Sequence, residues 1–190
     1  MAHIIGWKGL AMKKVLVCLV GLVLLLSQAG MCAASKQTFK ITRVYDGDTV
    51  MAVQDGVVIY VMLMGIDAPE ISETSGIPDQ PYGREAKQYL SELILNKEVE
   101  IEGYGKGPYP DNYLLGVIYV NGKNVNLDMV AKGLAEAFEK DLPPGFNIGP
   151  FLHAERIAKD NKIGMWSLGD KYVSPSRWRE IHKIGIEGRL

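Results

Sequence analysis

Val50-Met51-Ala52-Val53-Gln54-Asp55-Gly56-Val57-Val58-Ile59-Tyr60-Val61-Met62-Leu63-Met64 (residues 50–64) reads as two β-strands, Val50–Val53 and Val57–Met64, joined by a tight turn at Gln54-Asp55-Gly56. An acidic cluster lies on each side of it, Asp46-Gly47-Asp48-Thr49 before and Asp67-Ala68-Pro69-Glu70 after. If the strands close into a hairpin, Asp46, Asp48, Asp67 and Glu70 converge. Carboxylates at that density repel one another unless a cation sits among them or protons are taken up, and a hard divalent cation held by oxygens answers the problem directly. Taken alone, Asp46 to Thr49 reads first as a turn whose Asp side chains cap backbone amides. Neither cluster has an evident positive partner.

Outward from the hairpin, Phe39, Ile41 and Val44 among polar residues mark a strand over Thr38–Tyr45. After a loop at 71–81 the period changes: Ala86, Tyr89, Leu90, Leu93 and Ile94 share one face of a helix over residues 82–95. Val99–Glu102 alternates as a half-buried strand, and Leu114–Val120 is a strongly apolar strand that ends in the hairpin turn Asn121-Gly122. Asn126 is placed to cap a short helix carrying Leu127, Val130, Ala131 and Leu134, and a third helix runs from about Phe151 to Lys162, stopped by Gly164. Five strands with a helix inserted and helices at the end predict an α+β fold, a five-stranded OB-type β-barrel with three α-helices. Residues 168–190 carry few apolar anchors and are expected to form a weakly packed C-terminal extension.

The N-terminus reads as an export signal. Lys13 and Lys14 precede an apolar run from Val15 to Leu26 and small residues up to Ala34, the order of a secretory signal. The run is shorter than the roughly 20 apolar residues of a membrane span. Cleavage after Ala34 predicts a secreted or periplasmic protein without stable membrane insertion; lipid anchoring at Cys32 ranks second because Met31 is large for the residue before a lipidated cysteine. Both cysteines, Cys18 and Cys32, lie within residues 1–34, so the domain beginning at residue 35 folds without disulfides. Removing residues 1–34 leaves 18 basic and 22 acidic residues, a net of −4. A strongly nucleic-acid-binding domain is usually basic, so any attraction to DNA or RNA is local and weak. A monomer is expected. His153 and His182 have no second ligand at zinc spacing, and zinc is not expected.

Several ordered stretches resemble the staphylococcal nuclease (thermonuclease-like) family: Val44-Tyr45-Asp46-Gly47-Asp48-Thr49-Val50, Leu63-Met64-Gly65-Ile66-Asp67-Ala68-Pro69-Glu70, Tyr82-Gly83-Arg84-Glu85-Ala86, Val125-Asn126, Gly133-Leu134-Ala135 and Gly164-Met165-Trp166. The resemblance covers about residues 38–167 and implies a calcium-dependent nuclease acting on DNA and RNA. It implies Asp48 and Asp67 as carboxylate ligands of Ca2+, the backbone carbonyl of Ala68 as a third oxygen, Asp46 in the outer shell, and Glu70 as the group that orients or deprotonates the attacking water. Tyr113 resembles a residue that contacts a terminal phosphate of the substrate.

Two arginines complete the family's site, and this chain departs from the pattern at both. The first position is Met62. The second is Leu115 when counted from Asp111, or Tyr113 when counted back from the Asn121-Gly122 turn. Lys106, Lys123, Arg43 and Arg84 are candidate stand-ins by neighbourhood, with Arg43 and Arg84 placed to pack or pair on the surface. Removing one such donor costs about 10²–10³ in rate, so the chain is expected to be an impaired nuclease or, alternatively, an inactive nuclease-like module that binds nucleic acid or protein. Capping by Glu70, or its pairing with Arg84 or another surface cation, would favour the second.

Overall fold

The hairpin that opens the sequence is the frame of the barrel. The computed structural model describes residues 36–72, 76–107 and 113–184. The expected export signal (1–34), and Asp111 and Asn112 of the expected arginine motif, lie outside those residues. Strands β1 (Lys36–Val44), β2 (Thr49–Gln54) and β3 (Val57–Leu63) form an antiparallel meander. At the β2–β3 turn Gln54 faces Val57, and Asp55 and Gly56 take φ values of 50° and 80°. Positive φ at both central residues is the geometry that matches the right-handed twist of the flanking strands.

In β1 the inward residues Phe39, Ile41 and Val44 are spaced by two and then by three. A register shift between Ile41 and Arg43 absorbs the extra residue and lets Val44 face the core. After β4 (Ile66–Asp67), helix α1 (Gly83–Ile94) leads to β5 (Glu98–Lys106), which pairs with β1, and to β6 (Tyr113–Val120), which pairs with β5. A parallel pairing of β3 with β6, Tyr60 opposite Tyr113 through Leu63 opposite Gly116, closes the five strands into a mixed barrel. The expected OB-type α+β architecture is therefore present.

Short strands too brief to read from sequence complete it: β7 (Lys123–Asn124) beside β6, and β8 (Glu136–Ala137) paired antiparallel with β4. Ile41, Val50, Val61, Ile101 and Ile118 fill the barrel, and Leu90, Ile94, Met129 and Val130 from the helices seal it. Each fully buried aliphatic side chain of this kind contributes about 1.5–3 kcal/mol.

Helix α2 (Val125–Ala131) is capped by Asn124, whose side chain accepts from Leu127 N at 2.9 Å. This corrects the expectation for Asn126. Asn126 is fully buried; its Oδ1 accepts from Ile118 N at 3.0 Å and its Nδ2 donates to Met64 O at 2.9 Å and Gly116 O at 3.0 Å. It ties the end of β3 and the middle of β6 to α2, a task only a side chain carrying both donor and acceptor can perform.

Helix α3 (Gly149–Asp160) matches the third expected helix. Beyond it the chain stays helical through most of residues 164–182. A 3₁₀ segment (Gly164–Lys171) leads to a fourth helix, α4 (Pro175–His182). Ser174 accepts from Arg177 N at 3.2 Å and Pro175 occupies the first turn, the usual start signals of a helix. No helix among the described residues is long and apolar enough to cross a membrane.

Candidate functional site

The two acidic loops meet because glycine lets them. A Cβ on Gly47 would stand 2.7 Å from the Ala68 methyl and 2.8 Å from that of Ala86. Nothing larger than hydrogen fits where the first loop crosses the second and the side of α1. Backbone bonds hold the register: Tyr45 N donates to Thr49 O at 2.9 Å and Leu63 N to Asp48 O at 2.8 Å. Asp46 Oδ1 accepts from Asp48 N at 2.9 Å and Thr49 N at 2.7 Å, the turn-capping role that its local sequence allowed. Asp48 faces the second loop, its Oδ2 accepting from Ala68 N at 2.8 Å and its Oδ1 from Thr49 Oγ1 at 3.0 Å.

Glu70 is held from behind. Gln80 Oε1 accepts from Glu70 N at 3.0 Å, and Gln80 N donates to Glu70 O at 2.9 Å. A Cβ on Gly83 would lie 2.6 Å from the same carbonyl, so the first turn of α1 also presses on this residue. Asp46, Asp48, Asp67 and Glu70 are all buried, at 9%, 6%, 4% and 5% exposure. The two loops that carry the four carboxylates are thus brought into contact.

They are not without a positive partner. Arg179, on α4, donates from Nη1 to Asp67 Oδ1 at 2.9 Å and from Nη2 to Asp67 Oδ2 at 2.8 Å; Nη1 also reaches Glu70 Oε1 at 2.5 Å. Its side chain is 19% exposed. Sequence reasoning missed this residue, which lies 112 positions from Asp67. The one available signal was Ser174-Pro175, which opens a helix and places Arg179 on it. Glu70 does not pair with Arg84, whose Nε instead binds Asp79 Oδ2 at 2.5 Å. Among the other candidate stand-ins, Arg43 lies 4.5 Å over the Tyr45 ring, Lys123 is exposed beyond β6, and Lys106 lines the cleft beside the acids.

That cleft, about 500 Å³, is bounded by Asp48, Asp67, Arg179, Lys106 and Lys140, and its floor includes Met62 and Leu115. Met62 and Leu115 are direct register partners across β3 and β6. The two positions at which the resemblance expects arginines therefore share one wall, and the wall is apolar. Tyr113, the other reading of the second position, is 5% exposed and stacks on Tyr60 at 4.8 Å.

The donor chemistry, carboxylate and carbonyl oxygens, is that of a hard divalent cation, although Asp46 and Asp48 already accept from backbone amides and Thr49, and Asp67 and Glu70 from Arg179. Among the described residues no three acidic, imidazole or thiol side chains converge as a metal shell. A cation shared by Asp48 and Asp67 would therefore rely on the Ala68 carbonyl and water for its remaining ligands, and would compete with Arg179 for Asp67. Next to Asp67 on the paired strand, Glu136 accepts a hydrogen bond from the Tyr172 hydroxyl. Burial raises the Glu136 carboxyl above its ordinary range, against the lowering effect of that bond, and burial followed by the Glu136 contact raises the Tyr172 phenol.

The family model described as staphylococcal nuclease homologue matches residues 60–168. An uncharacterized endonuclease of Haemophilus influenzae is 32% identical over 92% of this chain and 89% of that protein. The thermonuclease of Staphylococcus hyicus is 32% identical over 73% of this chain and 81% of its own. An uncharacterized endonuclease of Escherichia coli O157:H7 is likewise 32% identical, over 74% and 83%. With the closed barrel and its facing acidic loops, these likenesses make the chain a member of the staphylococcal nuclease family.

Proposed function

We propose that this protein is an exported, calcium-dependent phosphodiesterase that hydrolyses DNA or RNA, with Glu70 as the base. The observation that carries this reading is that Asp48 and Asp67, both buried, line one cleft, while buried Glu70 shares the Arg179 guanidinium with Asp67. Asp48, Asp67 and the Ala68 carbonyl would hold the ion, with Asp46 fixing the loop behind them. When bound, the ion offsets the charge of the scissile phosphate. Glu70 then takes the proton of a water whose oxygen bonds to phosphorus, and the bond from phosphorus to the leaving oxygen breaks. Tyr113 supports the cleft through its stack on Tyr60 rather than by lining it.

Incubation of the protein from residue 35 onward with single-stranded DNA or RNA is expected to give cleavage in calcium and none in excess chelator. Cleavage indifferent to chelator would overturn the calcium reading. The alternative, an inactive module that binds nucleic acid, draws on the hold of Arg179 over both Asp67 and Glu70. It predicts calcium-dependent binding of the same oligonucleotide with no cleavage.

Export rests on Lys13-Lys14 and the apolar run that follows. Intact-mass measurement of protein recovered from periplasm or medium is expected to place its N-terminus at Ser35. A lipid-bearing Cys32 at the N-terminus would replace that reading with membrane anchoring.

A further inference from the structure

Met62 and Leu115 put no charge at the positions where the resemblance expects arginines, yet phosphodiester hydrolysis gathers negative charge on the phosphate as it proceeds. A site with a base and a cation but no further donor would leave that charge poorly met. We propose that Arg179, delivered by the C-terminal helix α4, is the phosphate-contacting arginine of this site. The proposal rests on the phosphodiesterase reading above and names the residue that completes it.

The segment carrying Arg179 is built onto the acidic loops. Gln80, whose Oε1 and N clamp the Glu70 backbone, donates from Nε2 to Val173 O at 2.8 Å. Glu136, the strand partner of Asp67, holds the Tyr172 hydroxyl. Tyr172 in turn packs on Trp166 at 4.6 Å. Tyr172 and Val173, ahead of the Ser174 cap of α4, are thus tied to Glu136, the strand partner of Asp67, and to Gln80, which clamps the Glu70 backbone. Pro175 is buried at the start of α4 and fixes the direction of the helix.

The contact itself has the shape that phosphate requires. The guanidinium meets Asp67 through two parallel N–H···O bonds, and the same planar fork fits two phosphate oxygens. An ion held at Asp67 would loosen the guanidinium's hold there, and a phosphate in the cleft would offer it an equivalent pair of acceptors. A cation needed only to neutralise the acids could equally have been a lysine; the paired geometry is what a lysine cannot reproduce.

The test compares Arg179→Gln and Arg179→Lys with Arg177→Gln, an exposed residue of the same helix that pairs with Glu180. Turnover of single-stranded DNA is measured for each. Affinity for a short oligodeoxynucleotide in calcium is measured in a Glu70→Gln background, once with ordinary linkages and once with one neutral methylphosphonate linkage. Arg179→Gln is expected to lower kcat/KM about 10²–10³-fold, Arg179→Lys to recover only a small part of it, and Arg177→Gln to match the parent. Arg179→Gln should also weaken the ordinary oligonucleotide roughly tenfold while leaving the methylphosphonate one little changed, a discrimination that a merely structural arginine would not produce.

Turnover within about threefold of the parent, or turnover that rises on removing Arg179, would overturn the proposal, the latter marking the arginine as a plug. So would equal weakening of both oligonucleotides. If the parent itself cleaves nothing, the phosphodiesterase reading fails, and the two affinities still decide whether Arg179 meets phosphate.

Discussion

Glu70→Gln is expected to lower the rate of calcium-supported cleavage by about 10²–10⁴-fold, the span over which a positioned general base contributes, while the melting temperature stays close to that of the parent. Glutamine has the same length and keeps an acceptor oxygen for Arg179 Nη1, so the contact at 2.5 Å retains a partner. The backbone of residue 70 is fixed independently of its side chain, by Gln80 on both its N–H and its carbonyl and by the close approach of Gly83. What the substitution removes is the capacity to take a proton. A full kinetic comparison with thermal melting separates the two effects: lost turnover in a stable protein identifies the base, whereas a rate within a few-fold of the parent would reject Glu70 in that role. Because calcium and substrate affinity do not require the proton acceptor, the expected loss lies in kcat rather than KM.

The acidic half of this site is readable in sequence because its determinants are local. Asp46 and Asp48 flank one glycine, Asp67 and Glu70 follow one strand, and the Asp55-Gly56 turn sets the register that brings the two loops together. The barrel is readable for the same reason: alternation in β5 and the apolar run of β6 show in the chain itself. Even the uncharged wall was legible, since Met62 and Leu115 occupy positions at which a cation was expected and prove to be register partners.

Arg179 was not legible. Its meaning depends on where a helix more than a hundred residues downstream docks, and that docking uses isolated polar contacts, Gln80 to Val173 and Glu136 to Tyr172, which have no periodicity. The composition of residues 168–190 carries no apolar stripe that would announce the helix, and α4 buries only Pro175. Asn126 escaped for a related reason. An asparagine near a helix start resembles a cap, and only the tertiary structure shows that Asn124 caps while Asn126 bridges β3 and β6.

Gly164→Ala is expected to destabilise the protein by about 3–5 kcal/mol, from the strain of a left-handed backbone together with overpacking, and to lower the melting temperature by roughly 10 °C. Gly164 has φ of 57°, and a Cβ there would stand 2.3 Å from Gly133 O and 2.6 Å from Lys132 O. Gly133, with φ of 62°, is equally crowded, its Cβ position 2.2 Å from Ile163 O. The two glycines form a backbone crossing, sealed by Met165 N donating to Gly133 O at 2.9 Å. At Gly164 the three nearest obstructing atoms are all main chain, so no side chain can swing aside there. Gly145→Ala is the control: its φ is 87° but nothing lies within 4 Å of the added methyl, and it should cost only about 1–2 kcal/mol, the strain alone. Equal losses for the two variants in chemical denaturation would show that the crossing is not tightly packed. The crossing is also where the chain turns from the barrel's helices into the segment that ends in Arg179. Forcing it apart should therefore reduce cleavage more steeply than the unfolded fraction explains, because the acidic loops would remain in place while the guanidinium that faces them is displaced.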